Sequence, residues 1–181
     1  MILETQRLKL RPFQPSDLES FLAYRSDPEV ARYQGWEMPY TVEKAEAFIK
    51  EMMQSTPGTD GRWYQFAVAL KETGAMIGDC AFHTLAHDKR QAEIGFSFAR
   101  SHQGFGYASE AVNRLLRYLF EDLALHRVTA VCDVKNIASA RLLKRVGMRR
   151  EAHFIDNIWF KGNWCSEYLY AILQDEWLTF N

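Results

Sequence analysis

Residues 103–111 have the residue types and the spacing that can hold an anion. They read Gln-Gly-Phe-Gly-Tyr-Ala-Ser-Glu-Ala and lie between a strand-like run, residues 94–99, and a helix-like run, residues 109–120. A glycine turn that opens a helix can bind phosphate, because backbone N–H groups approach closely and the helix N-terminus adds about half a positive charge. No Gly-Lys-Ser/Thr and no third glycine follows, so the turn is neither a P-loop nor a dinucleotide fingerprint. Alone, the stretch predicts a strand, an anion-binding turn and a helix.

A second element, Asn136-Ile137-Ala138-Ser139, follows another strand-like run, residues 128–134. Together the two elements resemble the GNAT superfamily of acyl-CoA-dependent N-acetyltransferases. The first is similar to that family's pyrophosphate-binding signature, Gln/Arg-x-x-Gly-x-Gly/Ala, and the second to its Asn-x-x-Ala/Ser element along the pantetheine arm. Further motifs resemble the subgroup of ribosomal-protein N-terminal acetyltransferases, and the likeness covers roughly residues 3–178; these motifs are residues 4–12, 92–96, 125–128 and 162–164.

The resemblance implies acetyl-CoA as co-substrate and assigns residues to each part of it. The turn over residues 103–108 would hold the pyrophosphate, with the Ser109 hydroxyl at the same helix N-terminus. Main-chain groups at Phe96 and Phe98 would pair with the pantetheine arm, although both rings also suit a core. Asn136 would hydrogen-bond the pantetheine, or serve only as a helix N-cap. The implied cofactor residues are Phe96, Phe98, Gln103, Gly104, Phe105, Gly106, Tyr107, Ala108, Ser109, Asn136 and Ser139.

Acyl transfer from a thioester to an amine also needs a proton acceptor for the amine and a proton donor for the leaving thiolate. The resemblance suggests Glu93 as general base and Ser139 as the donor. Many family members carry a tyrosine where this sequence has Leu143, so Ser139 or a water must act instead. Glu93 lies on a strand beside a hydrophobic cleft, where its pKa can rise, or it is a solvent-exposed or ion-paired carboxylate. Asp156 and, more weakly, Glu167 are rival bases.

The histidines and cysteines predict neither a metal site nor a disulfide framework. His83 and His87 are separated by a strand end and a loop, and no third ligand is evident. His83 is expected to be structural or to line the substrate cleft. The three cysteines are dispersed, and Cys132 lies in a strand that looks buried, where a thiol is inert. We therefore expect no metal and a reducing compartment.

The composition is that of one folded domain spanning residues 1–181. Hydrophobic residues make up 48% of the chain and aromatic residues 14%, enough for a full core. The formal net charge of −1 argues against nucleic acid or an anionic membrane as partner, and basic pairs such as Lys144-Arg145 are expected on solvated faces. Neither a signal-peptide pattern nor a spanning apolar run is visible, so a cytoplasmic location without a membrane partner is expected.

Strand-like and helix-like patterns interleave along the chain, which predicts an α/β (α+β) fold with a mixed sheet. Thr41 should cap a helix that ends near residue 54, and a hairpin turn is expected at residues 72–74. The helix over residues 109–120 should connect two parallel strands. The GNAT resemblance makes the sheet specific, with six or seven strands, a splay at the centre that admits acyl-CoA, and helices on both faces.

The resemblance implies an N-acetyltransferase in which a primary amine attacks the thioester directly. The acceptor is either a protein N-terminal α-amine, which the subgroup favours, or a small-molecule amine such as an amino acid, a polyamine or an antibiotic. A third hypothesis is an acyl-CoA-binding regulatory module without turnover, which Leu143 favours and the intact glycine turn opposes. The chain is expected to be a monomer or a homodimer. Aromatic residues that could form the acceptor wall, or only pack beneath a loop, are Tyr33, Trp36, Tyr40, Trp159 and Trp164.

Overall fold

The computed structural model describes residues 1–59 and 61–180 and contains an eight-stranded sheet. The strands lie in the spatial order β1-β2-β3-β4-β5-β6-β8-β7, and neighbours are antiparallel except for the parallel pair β5 and β6. Their bounds are β1 Leu3–Glu4, β2 Leu8–Arg11, β3 Tyr64–Leu70, β4 Met76–Leu85, β5 Asp88–Phe98, β6 Arg127–Asp133, β7 Arg149–Phe160 and β8 Asn163–Leu173.

Helices connect the strands and cover the sheet. Their bounds are α1 Leu18–Arg25, α2 Pro28–Ala31, α3 Val42–Gln54, α4 Tyr107–Arg117, α5 Ile137–Arg145 and α6 Gln174–Phe180. Short helical turns span Pro15–Asp17 and Arg100–His102, and a π-helical turn follows α4 over Tyr118–Asp122. Helix α3 ends where the sequence predicts, and the Thr41 side chain caps it by accepting a hydrogen bond from the Lys44 N–H at 3.4 Å.

The predicted mixed α/β architecture is confirmed, but the sheet has one strand more than the six or seven expected. The additional strand is β1, which has two residues and pairs with β2 through Leu3 opposite Leu10 and Glu4 opposite Lys9. A strand this short shows no alternation of apolar and polar residues. The sequence pattern therefore cannot reveal it, whereas the other seven strands each have a recognisable apolar run.

Helices pack on both faces of the sheet because its central strands are apolar on both sides. On β3, the Phe66 side chain belongs to a large core that includes Leu115 of α4 and Leu143 of α5. The next residue, Ala67, faces a smaller core built around Phe21 of α1 and the inner face of α3. Since successive side chains of a strand point to opposite faces, one strand thus anchors both layers of helices.

The sheet opens at its centre, between β5 and β6. Within the part of the chain that the structure describes, these two strands pair only through residues 91–93 and 127–129. Beyond that point β5 stays paired with β4 as far as Phe98, and β6 stays paired with β8 as far as Asp133. The strands therefore separate after Glu93, as the predicted central splay requires, and leave an opening between their facing edges.

Candidate active site

A first cavity, of about 740 Å³, is lined by residues of β5, α4 and α5 beside the opening in the sheet. Its size lies within the range that is usual for ligand pockets. The lining includes all but one of the predicted cofactor residues: Phe96, Phe98, Gln103, Gly104, Gly106, Tyr107, Ala108, Ser109, Asn136 and Ser139. The remaining one, Phe105, does not line the cavity, and its ring is exposed.

Two glycines in the left-handed region shape the turn that leads into α4. Gly104 has a φ of 85° and Gly106 a φ of 82°, which a residue with a Cβ adopts only at a cost of about 1 kcal/mol or more. Gly106 is the N-cap, so α4 begins at Tyr107 rather than at the predicted Ser109. Apolar periodicity does not show a glycine cap, and the predicted start is therefore late. The first N–H groups of a helix have no partner within it, and residues 107–109 border the cavity.

Basic side chains dominate the charged lining of the first cavity. The described arginine, histidine and acidic side chains that line it are Arg100, His102, Arg141, Arg145 and Glu29. Arg145 is exposed, as expected for its face of α5, yet its Nη1 also donates a hydrogen bond to the Ser109 hydroxyl at 3.2 Å. This contact holds a cation beside the glycine turn. The lining therefore suits an anionic ligand.

Arg7 ties the N-terminal segment to the glycine turn. Its Nε donates to Oε2 of Glu110 on α4 at 2.7 Å, and its Nη1 donates to the Phe105 carbonyl at 3.0 Å. The same guanidinium lies over the Tyr107 ring, 4.4 Å from the ring centre, and the Thr5 hydroxyl also donates to Glu110 at 2.5 Å. No local sequence signal predicts this clamp, because Arg7 and Glu110 are 103 residues apart along the chain.

Two glutamine side chains show which way the main chain of β5 faces. Gln103 Nε2 donates to the Phe98 carbonyl at 3.0 Å, and Gln34 Nε2 donates to the Phe96 carbonyl at 3.4 Å. Both carbonyls therefore point away from β4, toward the opening in the sheet. The N–H and C=O of one strand residue lie on the same edge, so the Phe96 and Phe98 N–H groups face the opening too. This is the orientation that pairing with an extended ligand needs.

Asn136 caps α5 and lies beside Ser139. Its Oδ1 accepts a hydrogen bond from the Ser139 N–H at 3.1 Å, so the N-cap role is present. The cap uses only the amide oxygen, and both side chains line the first cavity, so the Nδ2 donors are not used by the cap. Leu143, which stands where many family members have a tyrosine, is 1% exposed and buried in the large core. It can neither reach the cavity nor donate a proton.

A second cavity, of about 1090 Å³, adjoins the first at β5. It is lined by residues of α3, of the 54–63 segment, of the start of β3 and of the far end of β5. Three described residues, Gln34, Phe96 and Ser97, line both cavities. Because Phe96 and Ser97 are consecutive on a strand, their side chains point to opposite faces of the sheet. The two cavities therefore meet across β5, where they have these three lining residues in common.

Glu93 faces His83 across the β4–β5 pair. Glu93 Oε2 lies 3.8 Å from His83 Nε2. His83 Nδ1 is 3.2 Å from the Thr84 carbonyl, which can only accept, so a hydrogen bond there places a proton on Nδ1. The His83 ring packs 4.3 Å from the Trp63 ring, centre to centre, and Trp63 lines the second cavity. Glu93, the predicted base, is thus connected to the second cavity through His83 and Trp63.

The pKa of the Glu93 carboxyl is raised above its ordinary value. Burial is the largest cause, and the charge of Glu167 on β8 adds to it, whereas the neighbouring His83 lowers the pKa. A carboxylate with a raised pKa is a stronger base than an ordinary glutamate, as a proton acceptor requires. The antiparallel register of β4 and β5 brings His83 to this carboxylate, and the sequence analysis gave the histidine no such partner.

One rival base and part of the predicted aromatic wall lie elsewhere. Asp156 is exposed at a bulge of β7, with a φ of 45°, and accepts a hydrogen bond from the Ser166 hydroxyl at 3.2 Å. Trp159 and Trp164 pack against each other on the β7–β8 hairpin and remain 60% and 59% exposed. None of these three side chains lines either cavity. Trp159 and Trp164 thus line neither cavity, whereas Trp36 lines the second.

The described residues hold neither a metal cluster nor an activated thiol near the cavities. No three His, Cys, Asp or Glu side chains among them are arranged to hold a metal ion. Cys132 is buried on β6, and burial raises the pKa of its thiol to about 11, which keeps it protonated and unreactive. Among the same residues, no helix combines the length and the apolar character needed to cross a membrane.

Known proteins resemble this chain over most of its length. The acetyltransferase (GNAT) domain matches residues 7–149. The uncharacterized N-acetyltransferase YnaD of Bacillus subtilis is 37% identical over 177 residues, which cover 98% of this chain and 99% of that protein.

Solved structures show the same likeness. An acetyltransferase of the GNAT family from Bacillus anthracis has a TM-score of 0.85 and 32% identity, covering 97% of this chain and 99% of that one. A Vibrio cholerae protein provisionally named a ribosomal-protein-serine acetyltransferase has a TM-score of 0.81 and 25% identity, covering 96% and 97%. The similarity thus covers nearly the whole chain.

Proposed function

Because the chain belongs to the GNAT family of N-acetyltransferases, we propose that it transfers the acetyl group of acetyl-CoA to a protein N-terminal α-amine. The family is one of acyltransferases that acetylate amines, and it uses acetyl-CoA. The observation that carries the proposal is the meeting of two cavities at Phe96 and Ser97. One cavity has an anion-binding turn, and a carboxylate with a raised pKa adjoins the other.

The first cavity fits acetyl-CoA by its charge and by its main-chain groups. The glycine turn and the first turn of α4 offer N–H groups to the pyrophosphate, and Arg100 and Arg145 supply positive charge beside it. The main-chain groups of Phe96 and Phe98 that face the opening can pair with the amides of the pantetheine arm, as an added strand would. When bound there, acetyl-CoA supplies the activated acetyl group at the junction of the two cavities.

Glu93 and Ser139 provide the proton transfers in this account. An N-terminal α-amine has a pKa near 7.7–8.0 and must lose a proton before it can attack. That ammonium proton goes to solvent, and the neutral amine nitrogen attacks the thioester carbonyl carbon. Glu93 accepts, directly or through one water, the second N–H proton that the nitrogen loses as the amide forms. A C–N bond forms as the C–S bond breaks. Ser139 donates a proton to the departing thiolate and is reprotonated from water.

The shape of the second cavity supports a protein N-terminus as acceptor. The cavity is large, about 1090 Å³, and exposed residues of the 54–63 segment line it, so an extended chain can leave it toward solvent. The likeness to the ribosomal-protein-serine acetyltransferase points in the same direction. A small amine is the alternative acceptor, which the following experiment distinguishes.

The test is an acetylation assay with two matched peptides and one small amine. One peptide has a free N-terminus, and the other has the same sequence with a blocked N-terminus and a lysine side chain as its sole amine. Thiol release from acetyl-CoA gives the rate, and mass spectrometry locates the acetyl group. We expect rapid acetylation of the free α-amine alone. Turnover of the small amine only, or of the lysine side chain, would refute the proposed acceptor.

A further inference from the structure

The charged side chains that line the second cavity balance one another. Those among the described residues are two cations and two anions, Arg25, Arg62, Glu51 and Asp79. Glu51 and Arg62 are exposed, whereas Arg25 and Asp79 are 5% and 3% exposed. The cavity therefore has a mixed-charge rim and a buried ion pair at its inner end.

The buried ion pair leaves no free anion for a ligand. Arg25 Nη2 lies 3.5 Å from Asp79 Oδ2 and donates to the Gln65 amide oxygen at 3.2 Å. The Tyr24 hydroxyl donates to the same Asp79 oxygen. The protein itself thus supplies the counter-charge of Asp79, and a second cation placed there would meet the Arg25 guanidinium. An ammonium group would lose its hydration at this end of the cavity without gaining a partner.

Among the residues that the structure describes, four aromatic rings line the cavity together with uncharged polar side chains. The rings that line the cavity are Trp36, Phe48, Trp63 and Phe96. Trp36 stacks on the Arg25 guanidinium, 3.9 Å from the ring centre, and its Nε1 donates to the Arg25 carbonyl at 3.0 Å. Trp63 keeps 41% of its surface exposed. A fixed ring and an exposed ring in one cavity offer apolar surface to a ligand.

Gly95 keeps space open beside Trp63. A Cβ at this position would lie 3.8 Å from the Trp63 ring, in ordinary contact, and a longer side chain would fill the space next to it. The φ of Gly95 lies outside the left-handed region, so the backbone does not require glycine here. The missing side chain therefore serves the volume of the cavity on the face of β5 that also carries Glu93.

From the balanced charges and the aromatic wall we propose that the second cavity selects an amine whose remaining body is apolar or aromatic and carries no second positive charge. The inference rests on the proposed function, since it takes this cavity as the acceptor site. If the acceptor is a protein N-terminus, this selection favours a first residue with an apolar side chain. An arylalkylamine has the same chemistry, and a polyamine or an N-terminal lysine does not.

The first experiment measures kcat/KM for two peptides that differ only in their first residue, phenylalanine or lysine. Phenethylamine and spermidine form the small-amine arms, and acetyl-CoA is saturating. We expect the phenylalanine peptide to be preferred by at least about tenfold, because an apolar pocket discriminates to this degree. Spermidine should give no turnover above background. Whichever of phenethylamine and the phenylalanine peptide has the higher kcat/KM shows whether the acceptor is a small molecule or a peptide chain.

Matched variants then locate the selection. Trp63→Ala should reduce the preference for phenylalanine at least about threefold, since it removes an exposed ring of the cavity. Trp159→Ala removes a similarly exposed tryptophan that lines neither cavity, and it should leave the preference unchanged. Arg62→Glu makes the described lining acidic and should raise kcat/KM for the lysine peptide relative to the phenylalanine peptide. Arg117→Glu, on the surface of α4, is its charge-matched control.

Melting temperature and CoA affinity are measured for every variant, so a folding defect or a lost cofactor site is recognised. Equal or better use of the lysine peptide or of spermidine overturns the inference and leaves the proposed acetyl transfer intact. An unchanged preference in both Trp63→Ala and Arg62→Glu also overturns it, because selection would then lie outside this cavity. Absence of thiol release with every amine overturns the proposed function and the inference with it.

Discussion

The sharpest prediction concerns the pair Glu93 and His83. Glu93→Gln keeps the shape of the side chain but cannot accept a proton, so the nitrogen must lose its second N–H proton to solvent as the amide forms. A positioned general base contributes about 10²–10⁴ in rate, and kcat/KM should fall at least about a hundredfold, which is about 2.7 kcal/mol of activation free energy. CoA affinity should stay unchanged, since Glu93 does not line the first cavity.

The same pair sets the pH dependence. The active form of Glu93 is the carboxylate, and burial raises its pKa above the ordinary value of 4.5. Below the pKa of the acceptor amine, log kcat/KM should rise with pH at a slope of about 1, and below the pKa of Glu93 at a slope of about 2. In Glu93→Gln the steeper segment should disappear, while the part that belongs to the amine remains.

Removal of the histidine should move the steeper segment to higher pH. His83 lowers the pKa of Glu93 by its charge and by a hydrogen bond, so His83→Ala raises that pKa further. Unit charges at the observed 3.8 Å interact by about 1 kcal/mol in water and more strongly in a protein. Loss of this attraction raises the pKa of Glu93, so the steeper segment should move to higher pH in His83→Ala.

The assay is a pH profile of kcat/KM by thiol release, with a peptide acceptor, for the wild type and three variants. His87→Ala is the control, because His87 is exposed in the turn that follows β4 and should leave the profile unchanged. Wild-type activity in Glu93→Gln, or an unmoved profile in His83→Ala, would refute the assignment of Glu93 as the base and of His83 as its partner.

Three further variants test the framework. Gly78→Ala places a Cβ 2.4 Å from the Ser97 carbonyl oxygen, so the melting temperature should fall by at least about 3 °C. Gly35→Ala, whose Cβ has nothing within 4 Å, should leave the melting temperature unchanged. Equal melting temperatures for the two variants would contradict this. Arg7→Ala should weaken CoA binding about tenfold in calorimetry, because the glycine turn loses its clamp. Asn136→Ala should lower the free energy of unfolding by about 1 kcal/mol through the lost cap, and it should also weaken CoA binding. Unchanged stability in a denaturant titration, or unchanged CoA binding in calorimetry, would contradict this.

The parts of the structure that the sequence analysis predicted rest on local signals. Thr41 stands before an apolar helical pattern, and it caps α3. The turn at residues 72–74 joins two apolar runs, and β3 and β4 form the hairpin. The spacing of Gly104 and Gly106 predicts a tight turn before a helix, and both glycines have a positive φ there. Each of these depends on residues a few positions apart, where propensity and capping decide the conformation.

The contacts that the sequence analysis missed join distant segments. Arg7 meets Glu110, and Arg25 meets Asp79, at separations of 103 and 54 residues. No propensity links such partners, because only the packing of the sheet against the helices brings them together. The predicted start of α4 is late for another reason. The left-handed glycine cap lies outside the repeating apolar pattern from which the helix is predicted.

In the proposed reaction, donor and acceptor meet across β5 at Phe96 and Ser97. The most direct test is a crystal structure with a bisubstrate analogue, in which CoA is joined to the α-nitrogen of a short peptide. We predict its pyrophosphate at the turn of residues 103–108, its pantetheine arm along Phe96–Phe98 and its peptide in the second cavity, beside Glu93. A peptide in any other place, or a pyrophosphate away from the glycine turn, would contradict the account.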